Sequence, residues 1–175
     1  MSKRIKIFVG SFGSGKTEVA INYSINCRKS YEKIAIVDLD IVNPYFRTRE
    51  AKDTLSSQDI KVIAPAGEMT YADLPLISPE IKGLIQNPDY CLILDVGGDD
   101  VGAVVLGNFS SFIKELDYEM LLVVNSFRPF TQSVPQIMEI VRDIENTSRL
   151  KINGIVSNPN SVSYTHLTLP TKRIV

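Results

Sequence analysis

Gly10-Ser11-Phe12-Gly13-Ser14-Gly15-Lys16-Thr17 separates two segments of different character. Before it, Ile5-Lys6-Ile7-Phe8-Val9 reads as a buried strand; after it, Glu18-Val19-Ala20-Ile21-Asn22-Tyr23-Ser24 reads as a helix. The octapeptide fits the spacing G-x-x-x-x-G-K-[ST]. A glycine loop between a strand and a helix start has a definite chemical capacity. Its glycines let successive backbone N–H groups curl around an anion, and the helix N-terminus adds partial positive charge. The spacing therefore predicts a phosphate-binding loop made by Gly10, Ser11, Phe12, Gly13, Ser14, Gly15, Lys16 and Thr17. Lys16 is expected to reach the β- and γ-phosphates of a nucleotide, and the Thr17 hydroxyl to ligate Mg²⁺.

Two clusters farther along extend that reading. Cys91-Leu92-Ile93-Leu94-Asp95 is four apolar residues closed by an acid, the pattern of a Walker B strand. Its carboxylate is expected to face Mg²⁺ directly or through a water. Asp95-Val96-Gly97-Gly98 then follows D-x-x-G, and the Gly98 N–H is placed to sense a γ-phosphate, since glycine permits close approach. In Ile34-Ala35-Ile36-Val37-Asp38-Leu39-Asp40, two carboxylates spaced i, i+2 point to one side of a strand's C-terminal end. In an open parallel sheet, that end is where ligands bind. Asp38 and Asp40 are expected to position metal-bound waters and an attacking water. Asp99 and Asp100 read more simply as caps of the helix that follows.

The bulk properties narrow the partners. The chain has 175 residues, enough for one α/β domain with a core. Its 20 acidic residues nearly balance 19 basic ones, so no basic excess points to nucleic acid. No apolar run approaches membrane-spanning length, and only a few apolar residues separate the basic N-terminus from the glycine loop, too few for a secretion signal. Cys27 and Cys91 form no C-x-x-C, which fits a reducing cytoplasm. With a single histidine, the composition argues against a His-based zinc site or triad.

Apolar strand-like runs alternate with helix-like stretches, the pattern of an α/β fold with a mainly parallel sheet and helices on both faces. Strands are expected near 4–9, 33–38, 60–64, 90–95, 118–125 and 151–157. Helices are expected near 16–29, 44–57, 79–86, 101–115 and 132–146, with Asn43-Pro44 as a start signal. The segment from Pro65 to Pro79, holding Glu68, Tyr71 and Asp73, is the longest irregular connection and reads as a surface loop or a substrate or partner loop.

Together, the glycine loop, the D-x-D after the second strand and the D-x-G-G after the Walker B strand resemble the MinD/ParA-type P-loop ATPases. These are the CobQ/CobB/MinD/ParA nucleotide-binding domains of the SIMIBI class, here an uncharacterised bacterial branch. The resemblance covers roughly residues 3–160. It implies ATP and Mg²⁺ binding, slow hydrolysis to ADP, and a nucleotide-dependent homodimer that switches contacts with a protein partner. It assigns phosphate and Mg²⁺ to Lys16 and Thr17, orientation of the lytic water to Asp40, and the metal shell to Asp38 and Asp95. It assigns an adenine contact to Asn158. The family's loop carries an extra lysine at its second position, where this chain has Ser11. Arg47, Arg49 and Arg128 are the candidate replacement cations. Asn125-Ser126-Phe127-Arg128 is the nearest segment to the guanine-reading N-K-x-D and puts arginine in place of the acid, which favours adenine.

The expected activity is that of an ATP-driven switch or accessory ATPase. The alternative is an ATP-dependent small-molecule kinase or ligase using the same loop. Residues 161–175 differ in style from the rest: Val162-Ser163-Tyr164-Thr165-His166-Leu167-Thr168-Leu169-Pro170-Thr171 resembles the translation of transposon-end and adapter DNA. The expectation is a nucleotide-binding domain over 1–160, truncated at its C-terminus, followed by a non-native tail over 161–175.

Overall fold

The structure, a computed structural model, describes residues 3–40, 51–64, 79–98 and 100–159. Along the chain come β1 (Ile5–Val9), α1 (Lys16–Cys27), β2 (Lys33–Leu39), α2 (Lys52–Ser56), β3 (Ile60–Ile63), α3 (Pro79–Gln86), β4 (Tyr90–Val96), α4 (Asp100–Ile113), β5 (Tyr118–Val124), α5 (Val134–Ser148) and β6 (Gly154–Ser157). The six strands form one sheet in the order β3-β2-β4-β1-β5-β6. Every pairing is parallel.

A parallel sheet must be covered on both faces, and strand alternation divides the apolar residues accordingly. Ile5, Ile7, Val9, Ala35, Val37, Leu39, Leu92, Leu94 and Val96 point to the face covered by α3, α4 and the partly buried side of α5. Phe8, Ile34, Ile36, Cys91 and Ile93 point to the face covered by Ala20 and Ile21 of α1 and Leu55 of α2. β1 is buried from end to end and β4 in all but its first residue, because both faces carry helices.

The connections leave neighbouring strands in opposite directions. After β1 the chain passes to α1 on one face; after the adjacent β4 it passes to α4 on the other. Such a switch point opens a crevice at the strands' C-terminal ends, the place where this architecture binds ligands. The glycine loop lies on one side of that crevice and Asp95-Gly98 on the other.

Several expectations need adjustment. The last strand begins at Gly154 rather than at residue 151. The Ile152 N–H donates to Glu145 Oε1 at 2.9 Å, and the Asn153 side chain accepts from the Met120 N–H at 2.8 Å, so side chains hold this stretch instead of a full ladder. Helix α5 starts at Val134, where Ser133 and Gln136 form a capping box and Pro135 fits the first turn. Asp100 is the first residue of α4, where its carboxylate complements the helix's positive end. Lys6, in the middle of an apolar strand, is buried and pairs with Glu119, its register partner on β5. The fold also brings Cys27 and Cys91 together, with sulfurs 3.5 Å apart and both thiols free. The Asn43-Pro44 start signal, Arg47, Arg49, Glu68, Tyr71, Asp73, Asp99 and the tail over 161–175 lie outside the described residues.

Candidate functional site

The loop turns because three of its residues occupy backbone conformations that side chains oppose. Gly10, Gly13 and Gly15 have φ of 143°, 75° and 85°. At Gly10 a Cβ would stand 2.4 Å from the Val123 carbonyl oxygen, so the chain leaves β1 in contact with β5 backbone. The Ser14 N–H donates to Ser11 O at 3.2 Å, closing the turn, and the Val19 N–H donates to Gly15 O at 3.1 Å, opening the helix. Lys16, almost fully buried, curls back along the loop, with Nζ 3.4 Å from Ser11 O.

Strand parity and register bring the acids to this loop. Asp38 and Asp95 share the parity of the residues facing α1, and they are register partners in the β2–β4 ladder. Asp38 Oδ1 accepts the Asp40 N–H at 2.9 Å, fixing the bend that carries the second acid. A Cβ on Gly97 would lie 3.4 Å from Asp40 Oδ1, and a Cβ on Gly98 would lie 2.9 Å from Lys16 Nζ and 2.7 Å from the Phe12 nitrogen. Asp40, Gly97, Gly98 and Lys16 thus stand side by side. Gly98 has no room for a side chain because the loop backbone occupies it.

Asp95 is the electrostatic centre of the group. Burial pushes its carboxyl up to about 7; a Thr17 hydrogen bond and the Lys16 charge oppose that rise, while Asp38 and Asp40 reinforce it. Its Oδ1 is buried and has no hydrogen-bond partner among the described residues. An orphaned carboxylate oxygen beside the hydroxyl of Thr17 suits a hard, oxygen-seeking cation. Among the described residues, no three His, Cys, Asp or Glu side chains gather into a metal cluster. The donor set fits Mg²⁺: Thr17 and Asp95 would hold it, with Asp38 beside them.

Two residues from the far side of the sheet grip the loop from outside. Arg128 Nε donates to Gly13 O at 3.2 Å, and Asn158 Nδ2 donates to Ser14 O at 2.8 Å. Arg128 is held in place by the turn after β5. There Asn125 O accepts the Arg128 N–H at 3.0 Å and the Thr131 hydroxyl at 2.6 Å, and Asn125 Oδ1 accepts the Phe127 N–H at 3.0 Å. Asn125 and Thr131 are both buried. Thr131 escapes a reading of the sequence, because its partner is the backbone of a turn whose shape the sequence does not announce. The only local signal is an asparagine closing an apolar strand ahead of a proline-containing turn.

No protein-family model matches the chain, and no curated protein sequence matches it. Solved structures do. A VpsO kinase domain superposes with a TM-score of 0.63 at 15% identity, covering 91% of this chain and 86% of that one. The BceF tyrosine kinase domain gives 0.58 at 14% identity, over 89% of this chain and 69% of its own. FtsY from Mycoplasma mycoides gives 0.55 at 21% identity; 89% of this chain aligns with 52% of that longer protein. At such identities the likeness speaks to architecture alone. With its all-parallel six-stranded sheet, covering helices and a glycine loop at the switch point, the chain has an α/β fold of the P-loop NTPase type.

Proposed function

We propose that the protein is a Mg²⁺-dependent ATP-binding domain that hydrolyses ATP slowly and acts as a nucleotide switch or accessory ATPase, in the manner of the MinD/ParA-type proteins its motifs resemble. The observation that carries this reading is the convergence of Lys16, Thr17, Asp40, Asp95 and Gly98 around one glycine loop. The N–H groups of the loop bind the phosphate chain, and Lys16 neutralises its β- and γ-oxygens. Thr17 and Asp95 hold Mg²⁺, with Asp38 supporting the shell; the ion, when bound, draws charge from the β- and γ-phosphates. Asp40 orients the attacking water, and the Gly98 N–H reads whether a γ-phosphate is present. Hydrolysis is slow because position 11 carries a neutral serine, leaving developing charge on the γ-phosphate to Lys16 alone within the loop. Adenine is preferred, since Arg128 occupies the place of the acid that guanine recognition uses. A nucleotide-dependent homodimer, a protein partner and a cytoplasmic setting belong to the same reading. No described helix is long and apolar enough to cross a membrane.

The test is a binding titration with ATP, ADP and GTP, in Mg²⁺ and in chelator. ATP and ADP should bind in the micromolar range or tighter with Mg²⁺, and ATP more weakly in its absence. No binding of any nucleotide would end this proposal.

A second reading is an ATP-dependent small-molecule kinase or ligase. A cavity of about 150 Å³ favours it: it opens beside Ser11 and Gly98 and is bordered by Asp100, Asp143 and Thr147. Phosphate release that requires an added acceptor would select this reading; release to water alone would select the first.

A further inference from the structure

Arg128 and Asn158 come from the ends of two different strands, β5 and β6, yet they bind adjacent peptide units of the loop. In a trans peptide the carbonyl and the following N–H point in opposite directions. A donor outside the loop that captures Gly13 O therefore fixes the Gly13–Ser14 peptide plane, whose N–H closes the turn onto Ser11 O. A donor that captures Ser14 O turns the Gly15 N–H inward. Both peptides belong to the part of the loop that surrounds a diphosphate, and the Gly15 N–H is the donor turned toward it.

The two contacts differ in kind. Asn158 is neutral and anchored through its own backbone, whose N–H donates to Val124 O at 2.8 Å in continuation of the β5–β6 ladder. Arg128 brings a full positive charge. A Cβ on Gly13 would lie 2.8 Å from its Nε and 2.9 Å from its Cζ and Nη2, so the guanidinium lies flat against the loop where a side chain would otherwise sit. The guanidinium is tied to the loop through Nε, which donates to Gly13 O. The brace built by buried Asn125 and Thr131 fixes the Arg128 backbone, and the Nε bond to Gly13 O holds its side chain against the loop, so less freedom remains to be lost on binding.

We propose that Arg128, with Asn158 as its neutral companion, is a positioning residue for the phosphate chain: the pair fixes two successive peptide planes of the loop, which turns the Gly15 N–H inward, and Arg128 supplies a positive charge beside the loop in addition to Lys16. The proposal rests on the nucleotide-binding reading above. Since the affected peptides belong to the part of the loop that surrounds the diphosphate, Arg128 acts on ATP and ADP alike. An arginine directed at the γ-phosphate would act on ATP alone.

The experiment measures dissociation constants of Mg·ATP, ADP and inorganic pyrophosphate for the wild-type chain and for Arg128→Ala, Arg128→Lys and Asn158→Ala, alongside thermal unfolding of each nucleotide-free variant. Arg128→Ala should weaken all three anions by a common factor of about ten or more, the effect of one charge a few ångströms away at a partly solvated site. Arg128→Lys should recover part of that loss, because charge returns without the Nε geometry. Asn158→Ala should weaken all three by a smaller common factor. Where turnover is measurable, KM for ATP should rise while kcat changes little. Unchanged affinities in a folded Arg128→Ala variant would overturn the proposal, as would a loss confined to ATP. If Arg128→Ala does not fold, Arg128→Lys decides alone: affinity equal to wild type would overturn the proposal, and a common partial loss would support it. Wild-type protein that binds none of the three anions overturns the nucleotide reading itself and this inference with it.

Discussion

Asp38 and Asp95 stand opposite each other in the β2–β4 ladder, two carboxylates on neighbouring parallel strands directed to the same face of the sheet. Burial opposes ionisation of Asp95, and the neighbouring Asp38 charge opposes it further. The arrangement is unfavourable for the protein alone and would be relieved by the divalent cation proposed for the site. The site is therefore built at the expense of stability, as ligand sites commonly are.

This has a pH signature. The Asp95 carboxyl sits at about 7 in the folded protein, against roughly 4 in an unfolded chain. Below about pH 4 both states hold the proton, and its contribution to stability is complete. Between those values the folded state keeps a proton that the unfolded state has released, so stability falls as pH rises, and above about pH 7 the loss is full. Asp95→Asn should flatten this decline and stabilise the nucleotide-free protein near pH 8 by roughly 1–3 kcal/mol. The same variant should lose the Mg²⁺ dependence of nucleotide affinity. Thermal unfolding across pH, with and without Mg²⁺, checks both; an unchanged pH slope in Asp95→Asn would remove Asp95 as its source.

Lys16 is nearly buried and lies along the loop that it is proposed to serve, its Nζ reaching toward Ser11 O. Lys16→Ala should weaken ATP binding by two orders of magnitude or more, consistent with losing charged hydrogen bonds worth about 1.5–3 kcal/mol each. Nucleotide-free Tm should fall only slightly. Titration beside thermal unfolding separates the two effects, and retained affinity would show that Lys16 does not hold phosphate.

Asp40 stands beside Gly97, held by the Asp38 side chain, and is less buried than Asp38 or Asp95. A group placed there can orient a water without displacing the cation's own ligands. Asp40→Ala should keep Mg·ATP affinity within about threefold and lower the hydrolysis rate by about 10²–10⁴, the range for loss of a general base or orienting group. Single-turnover phosphate release provides the measure. Unchanged release would exclude Asp40 from the chemistry.

Gly10 has no room for a methyl group, because the Val123 carbonyl oxygen would lie 2.4 Å from it. Its φ of 143° adds strain for any other residue. Gly10→Ala should destabilise the fold by about 2–4 kcal/mol and weaken nucleotide binding with it. Denaturant unfolding gives the number, and a loss below about 0.5 kcal/mol, the level of a neutral surface change, would show that β1 and β5 can part at no cost.

Much of the fold was legible because the local signals agreed. Five of the strands lie within about a residue of where apolar runs place them, and α3 coincides with its expected span. Physical necessity explains this: a parallel strand buried on both faces must be continuously apolar, and such runs are visible without coordinates. Errors fell where side chains replaced backbone partners, as at Glu145 and Asn153 before β6. Hydrogen bonds of that kind depend on elements distant in sequence.

By itself the sequence determined the glycine loop, the alternation of strands and helices, and the acids at strand ends, since each is a short-range pattern imposed by backbone sterics or by strand parity. Tertiary structure alone decided that Asp38 meets Asp95, that Cys27 meets Cys91, and that Arg128 and Asn158 hold the loop from outside. These relationships follow from strand order and register. A crossover connection can place residues more than a hundred positions apart in contact, and no local pattern encodes which ones will meet.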